Sequence, residues 1–232
     1  MSSTNPYSMS GQVAAADAPV AERVKFLQRT YSWLLGGVLA FAAILAAWGQ
    51  SETLQSMTGF IGGNWIIAMV VIFGVSFFAH AVAEKTPLNM FAYGAVVLVY
   101  GLLIGPIVAI ISAGHGTGII TQASVITAVI FMGLTAYVFI SGKDFSFMRG
   151  FLTIGLVGLI ITGVVSAFMG GGIGIWYSYV AAALFSGYIL YDTSRILHHY
   201  PTTAHVSAAL VLFVDVVILF KHILIILASN DD

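Results

Sequence analysis

Two carboxylates stand in this chain where a carboxylate is expensive. Asp192 lies in the run YILYDTSRIL and Asp215 in LVLFVDVVILF. Each run has the apolar character of a membrane span, where an acid at the centre costs roughly 2.5–3.5 kcal/mol even on lenient insertion scales. At ~1.5 Å per residue, both carboxylates come to rest ~8–15 Å below the same membrane surface. The runs are joined by a short connection, which makes their helices antiparallel neighbours, so acids at similar depth can meet. Two like charges in a low-dielectric site do not both ionise readily, and such a pair shares a proton and titrates as one coupled unit. A hard divalent cation such as Ca2+ can replace that proton, because such ions favour carboxylate oxygens. The pair can therefore sense pH and bind or pass Ca2+. The plainer alternative is that each acid hydrogen-bonds separately and only fixes helix packing.

The other ionisable groups are few. Arg195 follows Asp192 by three residues and shares its helical face, so it can pair with the acid; the commoner role of an arginine at a helix end is an interfacial anchor. His222 returns to the face of Asp215 and can extend a polar path towards the far side, while Lys221 points elsewhere and snorkels or pairs. His80 and Glu84 are one turn apart near the end of an apolar stretch and can contribute to a gate, although a packed histidine and an interfacial acid are the more usual reading. His198, His199 and His205 fall on a connection, where their spacing suits a metal only loosely. Tyr188 and Tyr191 precede Asp192 and supply packing or hydroxyl hydrogen bonds. Cysteine is absent, which excludes disulfides, thiolate metal sites and a cysteine nucleophile.

These residues must be positioned by membrane helices. The chain has 232 residues, 59% hydrophobic and only 7% charged, with a mean hydropathy of +1.01. Soluble domains carry about 25% charged residues. That excludes an ordinary soluble enzyme, a disordered protein and a nucleic-acid binder, which needs a basic face; the formal net charge is −1. A span needs about 20 mostly apolar residues. Thr30–Gly49, Trp65–Ala83, Asn89–Ser112, Ile119–Ile140, Gly150–Met169, Ile175–Leu197 and His205–Ala228 meet or approach that length. Between them stand helix breakers: GGN at 62–64, TP at 86–87, GHGTG at 114–118, SGKD at 141–144 and MGGGIG at 169–174. The spans are apolar all round rather than alternating, so helices and not barrel strands satisfy the backbone in lipid. The expected fold class is an all-α integral membrane protein, a bundle of seven transmembrane helices. The seventh carries Asp215, Lys221 and His222 and belongs inside the bundle, as a full span or a re-entrant segment. Gly36 with Gly37, and Gly155 with Gly158, can let helices approach closely.

Cations set the orientation. Arg23, Lys25 and Arg29 precede the first span, Lys85 follows the second, Lys143 and Arg149 follow the fourth, and Arg195 ends the sixth. The alternate connections (50–64, 113–118, 170–174 and 229–232) hold no Lys or Arg, and only Lys221 breaks the rule. The N-terminus is accordingly expected in the cytoplasm and the acidic C-terminus on the opposite side. Residues 1–22 are Ser/Ala/Pro-rich without a signal-peptide pattern and read as a flexible cytoplasmic tail preceding a transmembrane domain at 23–232.

The sequence resembles the Bax inhibitor-1 (transmembrane BAX inhibitor motif) family, most closely its bacterial YccA-like branch. The residues that carry the likeness are Gly187 to Thr193 (GYILYDT) with Ile196, then Leu212-Phe213-Val214-Asp215 followed by Leu219-Phe220. Gly101, Gly105-Pro106-Ile107 and the terminal Ser229-Asn230-Asp231 add to it. The likeness extends over essentially all of the chain after about residue 20. It implies a compact seven-helix bundle with the last helix central, in a bacterial inner membrane, and a pH-sensitive calcium leak whose sensor is the pair at Asp192 and Asp215. It also implies association with the membrane protease FtsH in bacterial relatives, and suppression of cell death in eukaryotic ones. Some members carry an arginine at the cytoplasmic end of the second helix as partner to the sensor. Here that place reads Ala83-Glu84-Lys85, so Lys85 or Arg195 has to substitute. No resident cofactor is expected; Ca2+ is the cargo.

Three functions follow for comparison: a passive cation leak, a non-transporting partner of a membrane protease gripped through the N-terminal tail, and an intramembrane aspartyl protease. The last fits Tyr191-Asp192 but not Asp215, whose Leu-Phe-Val-Asp context lacks the glycines of a GxGD site, and no PAL-like sequence is present. An enzyme is therefore not expected.

Overall fold

The structure, a computed structural model, describes residues 13–56, 65–83, 85–169 and 174–230, without the side chains of 65–69, 73 and 80. Its helices are α1 (Val20–Trp48), α2 (Trp65–Ala81), α3 (Leu88–His115), α4 (Gly118–Ser141), α5 (Arg149–Met169), α6 (Trp176–His198) and α7 (His205–Asn230), with a 3₁₀ turn at Ser146–Met148 before α5. Among the described residues the only extended pairing is a single bridge between Ala14 and Pro201. Among the described residues, five helical segments are long and apolar enough to cross a bilayer: α1, α3, α4, α7 and the stretch Ser146–Met169. Of the others, α2 has 17 residues, and α6 carries Ser178, Ser186, Asp192, Ser194 and Arg195 along 23. The breakers at 62–64 and at 170–173 lie outside the described residues, as do 1–12 and Glu84.

Burial shows how the helices are arranged. α7 packs against α6, α1, α4 and α3. Leu212, Phe213, Asp215, Val217, Leu219 and Leu224 of α7 are all buried; at 100° per residue those positions span rather more than half of the helix circumference. Phe213 meets the rings of Phe41 (6.1 Å), Tyr93 (5.8 Å) and Tyr100 (6.4 Å), which joins α7 to α1 and α3. The outside is apolar as well. α5 exposes Phe151, Ile154, Val157, Ile161, Val165 and Phe168 at spacings of three and four, a continuous greasy stripe that only lipid covers at no cost.

Small residues set the close approaches. A Cβ at Gly37 would overlap the Tyr93 hydroxyl, and one at Gly155 would press on Leu184, whereas Gly36 and Gly158 face open space. Each expected glycine pair thus contributes one contact residue. Gly142 ends α4 in a left-handed conformation (φ 60°), with its N–H bonded to the Val138 carbonyl, a backbone state that glycine adopts without a Cβ penalty.

The turns at one end of the bundle are tied to one another. Ala15 N–H bonds the Tyr200 carbonyl at 2.8 Å. Ala83 O accepts the Ser207 hydroxyl at 3.0 Å and the Asn89 amide at 3.2 Å. Phe145 N–H bonds Ser194 Oγ at 2.8 Å. The connections bearing Lys85, Lys143 and Arg195 are thereby gathered at a single end, together with residues 13–19 of the N-terminal segment.

Candidate functional site

α6 and α7 run side by side from the connection at 199–204, and that hairpin places the two acids. Asp192 is 6% exposed and Asp215 4%. Their carboxyl groups stand within interaction range of each other. Two ionised carboxylates have no proton to give, so a hydrogen bond between such groups requires one shared proton. The second oxygen of Asp215, Oδ2, is buried without a hydrogen-bond partner.

Arg195 completes the local charge balance. Its Nη1 stands 3.5 Å from Asp192 Oδ1, and the arginine is far more open to solvent than the acid. The guanidinium lies between two rings, 5.4 Å from the Tyr191 centroid and 5.3 Å from that of Tyr200, geometry suited to cation–π attraction. Tyr188 and Tyr200 are within electrostatic range of both acids, and Tyr100 of Asp215. Among the described residues no three His, Asp or Glu side chains converge on a metal position. The pair by itself offers four carboxylate oxygens, fewer than the six to eight that a resident Ca2+ takes.

The remaining candidates lie elsewhere. His222 is buried and its Nδ1 is 3.2 Å from Ser178 Oγ, with its ring 5.6 Å from that of Tyr177. It therefore packs on the start of α6, ~10 Å along the axis from Asp215. Lys221 is half-buried and Lys85 is exposed. Glu84 and the His80 side chain fall outside the described residues. His198 bonds the Ser194 carbonyl at 2.9 Å through Nδ1, and His205 opens α7.

A polar clasp absent from the sequence reading sits beside the pair. Asp144 accepts from the Ser146 N–H (2.8 Å) and hydroxyl (2.6 Å), and its other oxygen is 2.8 Å from His199 Nε2. Partial burial pushes the Asp144 carboxyl up, but the bonds from Ser146 and His199 outweigh it and pull it down to about 2. Ser194, two residues past Asp192, joins the clasp by accepting from Phe145 N–H and donating to Asp144 Oδ1 at 3.3 Å. The 142–148 turn is thus fastened to the helix that carries Asp192. Ser146 Oγ and Asp144 both meet the same nitrogen of His199, so the three do not form a nucleophile–base–acid relay, which needs both ring nitrogens.

The family described as "Inhibitor of apoptosis-promoting Bax1" matches residues 23–232. The chain belongs to the Bax inhibitor-1 family. Its relatives span bacteria and eukaryotes. It is 34% identical to a membrane protein of Vibrio cholerae over 91% of this chain and 93% of that one. It is 33% identical to the modulator of FtsH protease YccA of Escherichia coli, over 89% of this chain and 92% of the relative. Bax inhibitor 1 of Schizosaccharomyces pombe is 31% identical over 92% of this chain and 82% of its own. Membership accords with the apolar helical architecture, and the likeness first carried by GYILYDT and LFVD extends along the whole matched region.

Proposed function

We propose that this Bax inhibitor-1 family protein is a pH-sensitive cation leak of the bacterial inner membrane, passing Ca2+, with Asp192 and Asp215 as its sensor. In this reading the chain crosses the bilayer seven times, α2 and α6 included, with α7 central. The N-terminus is cytoplasmic and the C-terminus lies on the opposite side, as the gathering of cationic turns at one end of the bundle supports.

The observation that carries the reading is the approach of two buried carboxyls on adjacent helices. One shared proton holds α6 to α7 at that point. Arg195 balances one negative charge and no second cation stands by Asp215 among the described residues. Removing the proton leaves two negative charges facing each other, and at ~4 Å and an effective dielectric constant of ~20 their repulsion is about 4 kcal/mol. That is the size of bias that moves a two-state helix packing. A divalent cation relieves the same repulsion, so proton and Ca2+ compete for one place. No bond is made or broken in the cycle.

The protein reconstituted in liposomes tests this by Ca2+ entry followed against pH. Wild type gives a flux that changes with pH; Asp192→Asn and Asp215→Asn give a flux that does not. Unchanged pH dependence in both variants removes the sensor.

A second reading, compatible with the first, is modulation of a membrane protease. It is favoured by the 33% identity to the FtsH modulator of Escherichia coli. Deleting residues 1–12 leaves Ala15 and α1 in place, and loss of co-purification with FtsH in that variant supports the tail as the handle. Absence of any association in native membranes counts against the reading.

A further inference from the structure

The segment ahead of α1 lies against the turn between α6 and α7. Ala14 bridges Pro201 in antiparallel fashion, and Ala15 N–H bonds the Tyr200 carbonyl at 2.8 Å. Ala15 is fully buried there, while Val13, Ala16 and Asp17 beside it are exposed. A turn closed by Asp17 N–H on the Ala14 carbonyl at 3.0 Å then returns the chain towards α1.

Tyr200 joins this segment to the acid pair. Its carbonyl takes the Ala15 N–H, and its own N–H bonds the Arg195 carbonyl at 3.0 Å. Its ring stands 5.3 Å from the Arg195 guanidinium, whose Nη1 is 3.5 Å from Asp192 Oδ1. Ala15, Tyr200, Arg195 and Asp192 thus form one line from the N-terminal segment to a buried acid. The two ends of that line are unequally held. Asp192 sits in the packed α6–α7 interface, whereas the other end rests on one hydrogen bond and one small buried side chain. Segments with so few buried contacts open at low free energy, well short of global unfolding. The Arg195 side chain is 38% exposed, so once the Tyr200 ring leaves it, the guanidinium regains rotamer freedom in contact with solvent.

We infer that residues 13–17 are a releasable strap that, through Tyr200, holds Arg195 on Asp192. With the strap in place the guanidinium is confined between Tyr191 and Tyr200 beside the acid. With it detached, the 199–204 turn loosens, the Tyr200 ring leaves the stack and Asp192 loses its cation. A pull on the chain ahead of residue 13 is thereby carried to a carboxylate inside the bundle. The inference goes beyond the leak reading and stands without it, because it concerns the hold on Arg195 and not ion flow.

Arginine-selective labelling with phenylglyoxal tests it on the protein in detergent, with the labelled sites followed by mass spectrometry. Arg149, exposed at the start of α5, is the internal reference. Deleting residues 1–17 should speed Arg195 labelling several-fold relative to Arg149, whereas deleting 1–12, which spares the strap, should leave the wild-type rate. Tyr200→Leu keeps the carbonyl that takes the Ala15 N–H but removes the ring, so it should speed Arg195 as the long deletion does; Tyr200→Phe should keep the wild-type rate. If the long deletion fails to fold, Ala15→Asp, which forces a charge into a closed position, takes its place. Stability separates a lost contact from mere uncovering: Arg195→Gln should lower the melting temperature less than half as much in the long deletion as in the full chain, since the two changes remove one interaction. An Arg195 rate indifferent to loss of the strap overturns the inference. So does a wild-type rate in Tyr200→Leu, and so does an undiminished effect of Arg195→Gln in the deletion.

Discussion

Arg195 is held by charge on one side and by two aromatic faces on the others, and the two contributions separate experimentally. Arg195→Gln leaves Asp192 buried without its cation and is expected to destabilise by about 1–3 kcal/mol, with the loss moderated by the exposure of the guanidinium. In a thermal-unfolding cycle, adding Asp192→Asn should recover part of that loss, since the two residues are in contact. Arg195→Lys keeps the charge but not the planar stack between Tyr191 and Tyr200, so it should fall short of wild type. A different pH signature belongs to Asp144. Its folded-state carboxyl is pulled down to about 2 from the ordinary 3.8, so its contribution is fully present above the ordinary value and is lost as pH falls through the folded one. Asp144→Asn should therefore flatten the stability profile below about pH 4 and leave it unchanged in shape near neutrality, as read by denaturation in detergent. Legibility at this scale follows sequence distance. Asp192 and Arg195 are readable together because three residues make one helical turn. The clasp of Asp144 with His199 was not readable, because the partners lie on a turn and a helix end whose pairing no local spacing encodes.

Hydropathy locates the lipid-facing part of a helix better than its ends. The first apolar stretch begins at Thr30, yet α1 starts at Val20, because a helix keeps its hydrogen bonds where polar side chains meet water. α3 likewise runs to His115, past the apolar limit at Ser112. The glycine pairs illustrate the same limit: spacing marks a small-residue stripe, but only packing decides which member is pressed. Gly37 faces Tyr93 and Gly36 faces open space. Gly37→Val should cost about 1–3 kcal/mol through the forced separation of α1 and α3, whereas Gly36→Ala should stay within about 0.5 kcal/mol of wild type. Melting temperatures of the two variants in one detergent check the contrast; equal effects would mean that α1 does not lie on Tyr93 as described.

For the whole molecule, composition alone settled the class: 7% charged residues leave no soluble alternative, and the outward stripe of α5 is the structural counterpart. The alternation of Lys and Arg anticipated turns gathered at one end, and the ties Ala83–Ser207 and Phe145–Ser194 join them there. What hydropathy could not supply is which helices touch, and therefore whether the acids of α6 and α7 meet or only share a depth. The account turns on that meeting having a consequence for ion flow. Ca2+ entry into liposomes across a pH series, with wild type beside Asp192→Asn and Asp215→Asn, addresses it most directly. A pH-dependent flux in the wild type that becomes flat in both variants is the predicted result; wild-type and variant curves that coincide at every pH would contradict it.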